Sequence, residues 1–161
     1  MEKVDAAAVR LAPMTDEMYH SFFREYESDP DLLMEGQPYV PYAFSEEKVE
    51  RYIRRQKELG RVPLAILCGG EIAGEIVIKD IEAKKSAVMG LTLKNAGYKD
   101  RGIGTAAEKL AIRHVFEELD IPVLYADALL TNTRSLHVLE KAGFVPIRED
   151  GQFRYYVIER E

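Results

Sequence analysis

The chain has 161 residues, of which 47 % are apolar and 31 % charged, a composition typical of one globular domain with its own core. Its net charge of −6 argues against a nucleic-acid-binding domain, because such a domain neutralises phosphates with a basic face. The one cysteine, Cys68, excludes an internal disulfide and a multi-cysteine metal site, and the three histidines show no metal-ligand spacing. An acidic amino terminus and the lack of any apolar run of about 18 residues argue against a signal peptide or a membrane span. We therefore expect a cytoplasmic protein that holds no metal and binds neither nucleic acid nor membranes.

The first half of the chain predicts one strand and two helices joined by a long loop. Thr15 and Ser45 are typical N-cap residues, and acidic residues follow each of them, as a helix dipole favours. Residues 29–44 contain three prolines, but their many apolar side chains favour an ordered loop over a solvated linker. The predicted elements are the strand Val9–Pro13, a helix from Thr15 to about Tyr26, this loop, and a helix from Ser45 that ends before Gly60.

The second half predicts a sheet interleaved with two helices. Gly69 and Gly70 separate two apolar runs, which indicates a β-hairpin, and Gly90 interrupts the next strand, which indicates a bulge or a close backbone approach. The predicted elements are strands Leu64–Cys68, Ile72–Lys79 and Ala87–Leu93, a helix over Gly102–Leu119, the strand Val123–Leu129, a helix over Thr133–Ala142, and strands Phe144–Arg148 and Phe153–Glu159. The order β-α-α-β-β-β-α-β-α-β-β predicts an α/β fold in which helices flank one mixed sheet.

A glycine-rich junction, residues 99–106 (KDRGIGTA), lies between the third of these strands and the long helix. Glycines let the backbone turn tightly, and the amino end of a helix offers unpaired N–H groups and a partial positive charge, which together favour a bound pyrophosphate. Lys99 and Arg101 add side-chain cations. A Gly-x-Gly at a helix start is also often only a close-packed turn, so this pattern alone leaves both interpretations open.

Two other phosphate-binding motifs fit this junction poorly. A nucleoside-triphosphate loop needs a lysine where Ile103 stands. A dinucleotide fingerprint needs an acid at the end of the following strand, whereas Glu117, Glu118 and Asp120 lie at a helix end. Both of these interpretations are weak.

Two segments of the chain resemble motifs of one enzyme family. Residues 99–105, in the pattern K-x-x-G-x-G-T, are similar to the acyl-CoA signature of the GNAT superfamily of N-acetyltransferases. Residues 132–144 (NTRSLHVLEKAGF) are similar to its second motif and closest to the ribosomal-protein alanine/serine acetyltransferase (RimJ/RimL-like) branch. The resemblance implies a GNAT-like fold and acetyl-CoA as the cosubstrate. It also implies a single N-acetyltransferase domain over residues 1–161, with its motif-bearing part at 87–144.

The same resemblance implies where acetyl-CoA binds. Backbone groups after Gly90 would pair with pantetheine where two strands splay, and the loop amides would hold the pyrophosphate. Asn132 would lie beside the thioester, although the simplest alternative is an ordinary cap of the helix that begins at Thr133. The implied cofactor-binding residues are Leu91, Thr92, Leu93, Lys99, Asp100, Arg101, Gly102, Ile103, Gly104, Thr105 and Asn132.

The chain departs from the family pattern at three positions. Lys99 replaces the usual arginine or glutamine, Val88 stands where relatives often carry an acid, and Leu139 stands where many carry a tyrosine general acid. Ser135, one turn before Leu139, is therefore a candidate proton donor to the thiolate, or else it bonds a first-turn carbonyl. Glu75 is a candidate base that acts through water, or else an outward-facing acid on the solvated face of the sheet.

An acidic stretch accompanies the expected acceptor site. Residues 16–35 hold seven acids and one arginine. Such a cluster would concentrate a cationic amine, or it is simply a solvated face. Tyr39, Tyr42 and Phe44 could line the pocket or fill the core beneath it.

The sequence thus predicts an N-acetyltransferase that transfers an acetyl group from acetyl-CoA to a primary amine by direct attack, without an acyl-enzyme. The acceptor is expected to be a cationic small molecule or a peptide amino terminus, and a homodimer is left open. The alternatives are a non-catalytic acyl-CoA-binding or sensor module and a toxin-like partner-binding protein. Cys68 is most simply a small buried side chain, and His137 a packed or exposed one, so neither is expected to act in catalysis.

Overall fold

The computed structural model describes residues 8–34 and 36–161, which form seven strands and four α-helices. In chain order they are β1 (Val9–Pro13), α1 (Asp16–Glu25), α2 (Glu46–Glu58), β2 (Val62–Cys68), β3 (Glu71–Glu82), β4 (Ser86–Leu93), α3 (Ile103–Arg113), β5 (Val123–Leu129), α4 (Thr133–Ala142), β6 (Val145–Glu149) and β7 (Phe153–Glu159). This is the predicted order. Within the described ranges, no helix has the length and apolar character needed to cross a membrane.

The strands form one mixed sheet in the order β1-β2-β3-β4-β5-β7-β6. Every neighbouring pair is antiparallel except β4 and β5, which run parallel. A parallel pair needs a crossover connection, and α3 supplies it. The predicted α/β fold, with a mixed sheet flanked by helices, is confirmed.

Local sequence signals account for the helix ends. The side-chain oxygens of Thr15 and Ser45 each accept a hydrogen bond from a first-turn backbone N–H at 3.1 Å, at the starts of α1 and α2. Gly143, with φ of +113°, ends α4 in the left-handed conformation that glycine adopts at little cost. The predicted starts and ends of these three helices therefore lie within two residues of the observed ones.

The predicted helix over Gly102–Leu119 is present, but it is not α-helical throughout. α3 is α-helical only to Arg113, and the chain then forms a π-helical turn over His114–Glu118. Its N–H of Leu119 donates to the carbonyl of His114, five residues earlier, at 3.1 Å. Helical periodicity gives no sign of this turn, because a π-turn inserts only one residue into an otherwise regular helix.

The prediction of a bulge or close approach at Gly90 is wrong. Gly90 pairs regularly with Val77, and a Cβ added to it would meet no atom within 4 Å. The close approach occurs instead at Gly74, where an added Cβ would lie 2.5 Å from the carbonyl oxygen of Thr92. A glycine is therefore required in β3, at position 74, because β4 passes too close for a side chain there. The sequence had indicated position 90 of β4 instead.

Helices cover both faces of the sheet. α3 and α4 pack on one face, where Ile76 and Ile78 of β3 join the main apolar core. On the other face, Tyr19 of α1 and Val49 and Ile53 of α2 form a second, smaller cluster with residues of β2. Because successive side chains of a strand alternate between faces, Glu75 of β3 points to the side that α1 and α2 cover.

The strands β4 and β5 separate soon after they meet. They pair only through Ser86–Val88 and Val123–Tyr125, although β4 continues, paired with β3, as far as Leu93. The edge of β4 that faces β5 is therefore unpaired over its second half. This confirms the predicted splaying of two strands and opens the sheet beside the start of α3.

Candidate active site

A cavity of about 730 Å³ lies where β4 and β5 separate. Its walls come from the end of β4, the loop that leads to α3, the first turns of α3 and α4, and the segment after α1. It brings together eleven predicted site residues, Leu91, Thr92, Leu93, Lys99, Asp100, Gly102, Ile103, Gly104, Thr105, Asn132 and Ser135. The residues from the two motifs, more than thirty positions apart at their centres, thus line one space.

The amino end of α3 forms one wall of the cavity. Gly102 is the N-cap residue, has φ of +79°, and offers no side chain that could accept from the first N–H groups of the helix. The first turn contains no acid, so the partial positive charge of the helix end is not neutralised locally. A Cβ added to Gly104 would lie 3.5 Å from Cγ1 of Val138, which is ordinary contact. This end of α3 is suited to bind an anion.

The two predicted cations beside this helix end differ in position. Lys99 lines the cavity, and its ammonium forms an ion pair with the carboxylate of Asp29, both side chains being largely buried. The guanidinium of Arg101 lies 5.9 Å from the ring centre of Tyr98 and donates to the carbonyl of Gly97. Arg101 does not line the cavity, because its side chain is engaged with Tyr98 and with the carbonyl of Gly97.

Asn132 and Ser135 lie together at the start of α4. Oδ1 of Asn132 accepts a hydrogen bond from the backbone N–H of Ser135 at 3.2 Å, so this residue is a helix cap as well as a cavity residue. The Ser135 side chain is half-buried and lines the cavity. Within the described residues, its hydroxyl makes none of the hydrogen bonds to a first-turn carbonyl that were the alternative to a role at the site.

Glu75 is not an outward-facing acid on a solvated face, and that expectation is wrong. The residue is 3 % exposed beneath α1 and α2, and its Oε1 accepts a hydrogen bond from the Tyr52 hydroxyl at 2.8 Å. Burial raises the pKa of Glu75, and the neighbouring tyrosine hydroxyls oppose that rise. Glu75 does not line the cavity, although its partner across the sheet, Thr92, does.

The acidic stretch is divided between structural and cavity roles. Glu25 forms an ion pair of 2.7 Å with the buried ammonium of Lys94, whereas Glu27 and Asp29 line the cavity. Glu35 lies outside the described residues. The sequence treated these acids as one group, but the fold assigns them different partners.

Of the aromatic residues expected at the pocket, one lines the cavity and another packs behind its wall. Tyr39 lines the cavity, whereas Tyr42 packs on Tyr26 at a ring-centre distance of 5.1 Å. Tyr26 also lines the cavity, so Tyr42 contributes to the pocket only through its contact with Tyr26.

Cys68 and His137 were not expected to act in catalysis. Cys68 is half-buried. His137 is exposed and lines the cavity.

Among the cavity residues that sequence reasoning missed is a buried carboxyl, Glu108 of α3. It is 3 % exposed and borders the cavity, and its Oε2 has no hydrogen-bond partner among the described residues. Burial raises the pKa of Glu108 to about 8. One signal was available, because Glu108 follows Gly104 by four positions and sits among the small apolar residues Ala107 and Ala111.

A comparison of the chain with models of protein families agrees with the fold and with the motifs that line the cavity. The model of the family described as "Acetyltransferase (GNAT) domain" matches residues 8–145. The chain belongs to the GNAT family. The match covers β1 to the start of β6, so the cavity lies wholly within this GNAT domain.

Several proteins resemble this GNAT domain. A spermidine N(1)-acetyltransferase from Escherichia coli K12 is 26 % identical over 108 residues, which are 67 % of this chain and 56 % of that protein. The solved structure of RimL, a ribosomal alpha-N-protein acetyltransferase in complex with coenzyme A, has a TM-score of 0.77 at 16 % identity and covers 95 % of this chain and 94 % of that one. Mycobacterium smegmatis RimJ, in complex with a CoA disulfide, has a TM-score of 0.72 at 20 % identity, with coverage of 98 % and 84 %. The two structures share the fold.

Proposed function

We propose that this GNAT protein transfers an acetyl group from acetyl-CoA to a primary amine. The observation that carries the proposal is one cavity that joins the open edge of β4, the uncapped amino end of α3, and the Asn132–Ser135 turn. Those three features are what an elongated molecule with an amide-containing arm, a pyrophosphate and a thioester needs for binding. Family membership and the coenzyme A bound in the RimL structure support the proposal.

The residues present fit acetyl-CoA. The backbone of Leu91, Thr92 and Leu93 lies at the unpaired edge of β4, where pantetheine amides would pair as an added strand does. The N–H groups at the start of α3 would hold the pyrophosphate, with Lys99 as the nearby side-chain cation. We retain Arg101 only through its backbone N–H, since its guanidinium is engaged with Tyr98.

Acetyl-CoA supplies an activated thioester, and the proposed reaction is direct attack by the neutral amine on its carbonyl carbon. The C–N bond forms, the C–S bond breaks, and the amine proton passes to solvent. Unpaired N–H groups of β4 would stabilise the developing oxyanion, because donors fixed in advance cost no reorganisation. Ser135 would donate a proton to the leaving thiolate and regain one from solvent; the thiolate is also able to leave unaided, because a thiol pKa lies near about 8.5. Glu75 stays a weaker candidate base, through water beside Thr92.

The acceptor end of the cavity favours a cationic amine, either a small molecule or a peptide amino terminus. Glu27 lines it with the rings of Tyr26 and Tyr39, and carboxylates and aromatic faces both attract ammonium groups. The spermidine acetyltransferase acts on such an amine, as its name states. The chain's match to that relative spans 56 % of its length, so the acceptor is assigned here only as a class.

A thiol-release assay tests the proposal. Purified protein would be mixed with acetyl-CoA and a panel of polyamines, aminoglycosides and peptides with free amino termini, and free CoA thiol would be measured. Amine-dependent release supports an acetyltransferase. Acetyl-CoA binding without release for any amine would favour a non-catalytic acyl-CoA-binding module, which is the alternative that the buried Leu139, in place of a tyrosine, supports.

Replacing Ser135 with alanine should lower kcat about tenfold to a hundredfold, the usual lower range for one acid–base group. The affinity for CoA should change little, because the backbone N–H of Ser135, not its hydroxyl, caps α4. Thr133→Ala is the matched control, since Thr133 is exposed in the same helical turn and does not line the cavity. An unaltered kcat in Ser135→Ala would leave solvent as the proton source.

Replacing Glu27 with glutamine should raise the acceptor KM several-fold and weaken its dependence on salt, because an exposed carboxylate attracts a cationic amine through screened Coulomb forces. Glu17→Gln removes the same charge from an exposed position of α1 away from the cavity and should leave KM unchanged. Equal effects of the two substitutions would show that only net charge matters. Steady-state kinetics at two ionic strengths separates these outcomes.

A further inference from the structure

An ion pair joins two walls of the cavity, the segment after α1 and the loop that leads to α3. It links the carboxylate of Asp29 to the ammonium of Lys99, and both residues line the cavity. Only 14 % of the Asp29 side chain and 15 % of the Lys99 side chain are exposed, so solvent screens the pair little. A cavity carboxylate that could attract a cationic acceptor is therefore neutralised by a residue of the protein itself.

The surroundings of Asp29 suit an ammonium group. Tyr26 and Tyr39 line the cavity with it, as does the carboxylate of Glu27. Burial raises the pKa of the Tyr26 hydroxyl, and the nearby carboxylate of Asp29 raises it further. Aromatic faces and carboxylates both attract cations. The amine that attacks a thioester must be neutral, so Asp29 would hold a different ammonium group of the same acceptor.

Lys99 faces a second anion when the cosubstrate binds. It lies in the loop just before Gly102, the N-cap residue of α3, where the pyrophosphate is proposed to bind. An ammonium has three N–H donors, and phosphate oxygens are strong acceptors, so the pyrophosphate competes with Asp29 for the charge of Lys99. One cation thus serves the pyrophosphate and the carboxylate of the opposite wall.

We propose that Asp29 is an acceptor-binding residue that Lys99 masks until acetyl-CoA is bound. The pyrophosphate takes over the ammonium of Lys99, and the carboxylate of Asp29 then attracts an ammonium group of the acceptor. The two substrates therefore bind with positive cooperativity. This inference rests on the proposed function, because it takes acetyl-CoA and a cationic amine as the two ligands of the cavity.

The ion pair can be altered without moving the segment that carries Asp29. The backbone N–H of Glu27 donates to the carbonyl of Lys94 at 3.0 Å. The Tyr39 hydroxyl donates to the carbonyl of Ser28 at 3.2 Å. Neither bond involves the Asp29 side chain, and asparagine keeps a side-chain oxygen while it removes the charge. We therefore expect Asp29→Asn to fold like the parent, which its melting temperature checks.

Calorimetry with CoA, which carries no acetyl group to transfer, and with spermidine as the cationic probe tests the proposal. In the parent, saturating CoA should raise the affinity for spermidine about tenfold, an ordinary coupling between two sites. In Asp29→Asn this factor should fall to about two or less. CoA alone should bind Asp29→Asn at least as tightly as the parent, because no carboxylate competes for Lys99.

Glu25→Gln is the matched control for the loss of one ion-paired acid. Glu25 pairs with Lys94 at 2.7 Å and does not line the cavity. The variant should keep the about tenfold increase in spermidine affinity that CoA causes in the parent.

Lys99→Met gives a second readout of opposite sign. A largely buried carboxylate without its partner is costly, and spermidine can supply the missing cation. Without CoA, spermidine should therefore bind Lys99→Met about tenfold more tightly than the parent, whereas CoA should bind it more weakly. An ion pair with a merely structural role would not raise the affinity for one ligand while lowering it for the other.

The results that would overturn the proposal are distinguishable. Equal spermidine affinities of the parent and Lys99→Met without CoA would mean that Lys99 masks nothing. An unchanged increase in Asp29→Asn would mean that another group of the complex attracts the acceptor. CoA binding by the parent without spermidine binding overturns this inference alone. Failure of the parent to bind CoA overturns the proposed function, and this inference with it.

Discussion

Replacing Gly104 with aspartate is expected to lower the affinity for acetyl-CoA by about a hundredfold or more, since charge-assisted bonds to the pyrophosphate would be replaced by repulsion. Gly104 lies in the first turn of α3, where the helix end faces the cavity. A carboxylate at this position is itself compatible with the helix, because the dipole favours acids in the first turn. The variant should therefore fold and yet have its anion site filled by its own side chain.

The measurement is the rise in melting temperature on adding acetyl-CoA. At a ligand concentration of about a hundred times Kd, binding to the native state alone stabilises the parent by about 2.7 kcal/mol. For a chain of this length that corresponds to a rise of roughly 5–11 °C. At the same concentration, Gly104→Asp should show a rise of roughly 1–2 °C or less, since its Kd would then be close to the ligand concentration.

Gly104→Ala is the matched control. Its Cβ would lie 3.5 Å from Val138, an ordinary contact, so it tests the added methyl group without the charge. We expect it to keep the ligand-induced rise. Gly102 is less suitable, because its φ of +79° makes any side chain strained whatever its charge. A full rise in Gly104→Asp would mean that the amino end of α3 does not hold the pyrophosphate.

The order of the elements could be predicted from the sequence because its signals are local. Thr15, Ser45 and Gly143 fix helix ends through contacts within one turn, and the glycine pair after β2 marks a hairpin. The errors concern long-range geometry. Whether a glycine is required at position 74 or 90 depends on how closely β4 passes β3, which no pattern within either strand reveals.

The same difference between local and long-range signals applies to the candidate site. The glycine-rich junction before α3 and the Asn132–Ser135 turn could be predicted, because each is a contiguous motif at the start of a helix. An outward-facing Glu75 was expected because alternation shows only that it lies on the opposite face from Ile76, whereas the packing of α1 and α2 decides that this face is buried. The guanidinium of Arg101 lies beside the ring of Tyr98, a contact that no sequence motif reveals, because the direction of a long side chain depends on its neighbours.

Replacing Glu108 with glutamine is expected to change how stability depends on pH. Burial raises the pKa of Glu108 to about 8 in the folded protein, whereas the unfolded chain has a pKa near the ordinary value of 4.5. Between these values the unfolded state loses its proton and the folded state keeps one. The contribution of Glu108 to the free energy of unfolding must therefore fall as pH rises from about 4.5 to about 8, and then level off.

The expected size of this effect is about 3 kcal/mol between pH 5 and pH 8, measured as the difference between the parent and Glu108→Gln in urea unfolding. Glu75 also has a raised pKa, but it is present in both proteins, so its contribution cancels in the difference. At pH 5 the free energies of unfolding of the two proteins should differ by little more than the cost of burying an amide instead of a carboxyl. At pH 8 Glu108→Gln should melt roughly 6–12 °C higher than the parent.

Parallel stability curves for the two proteins would show that Glu108 finds a partner in the free protein and is not held protonated by burial. Diverging curves would mean that the parent gives up stability in order to keep a buried acid beside its cavity.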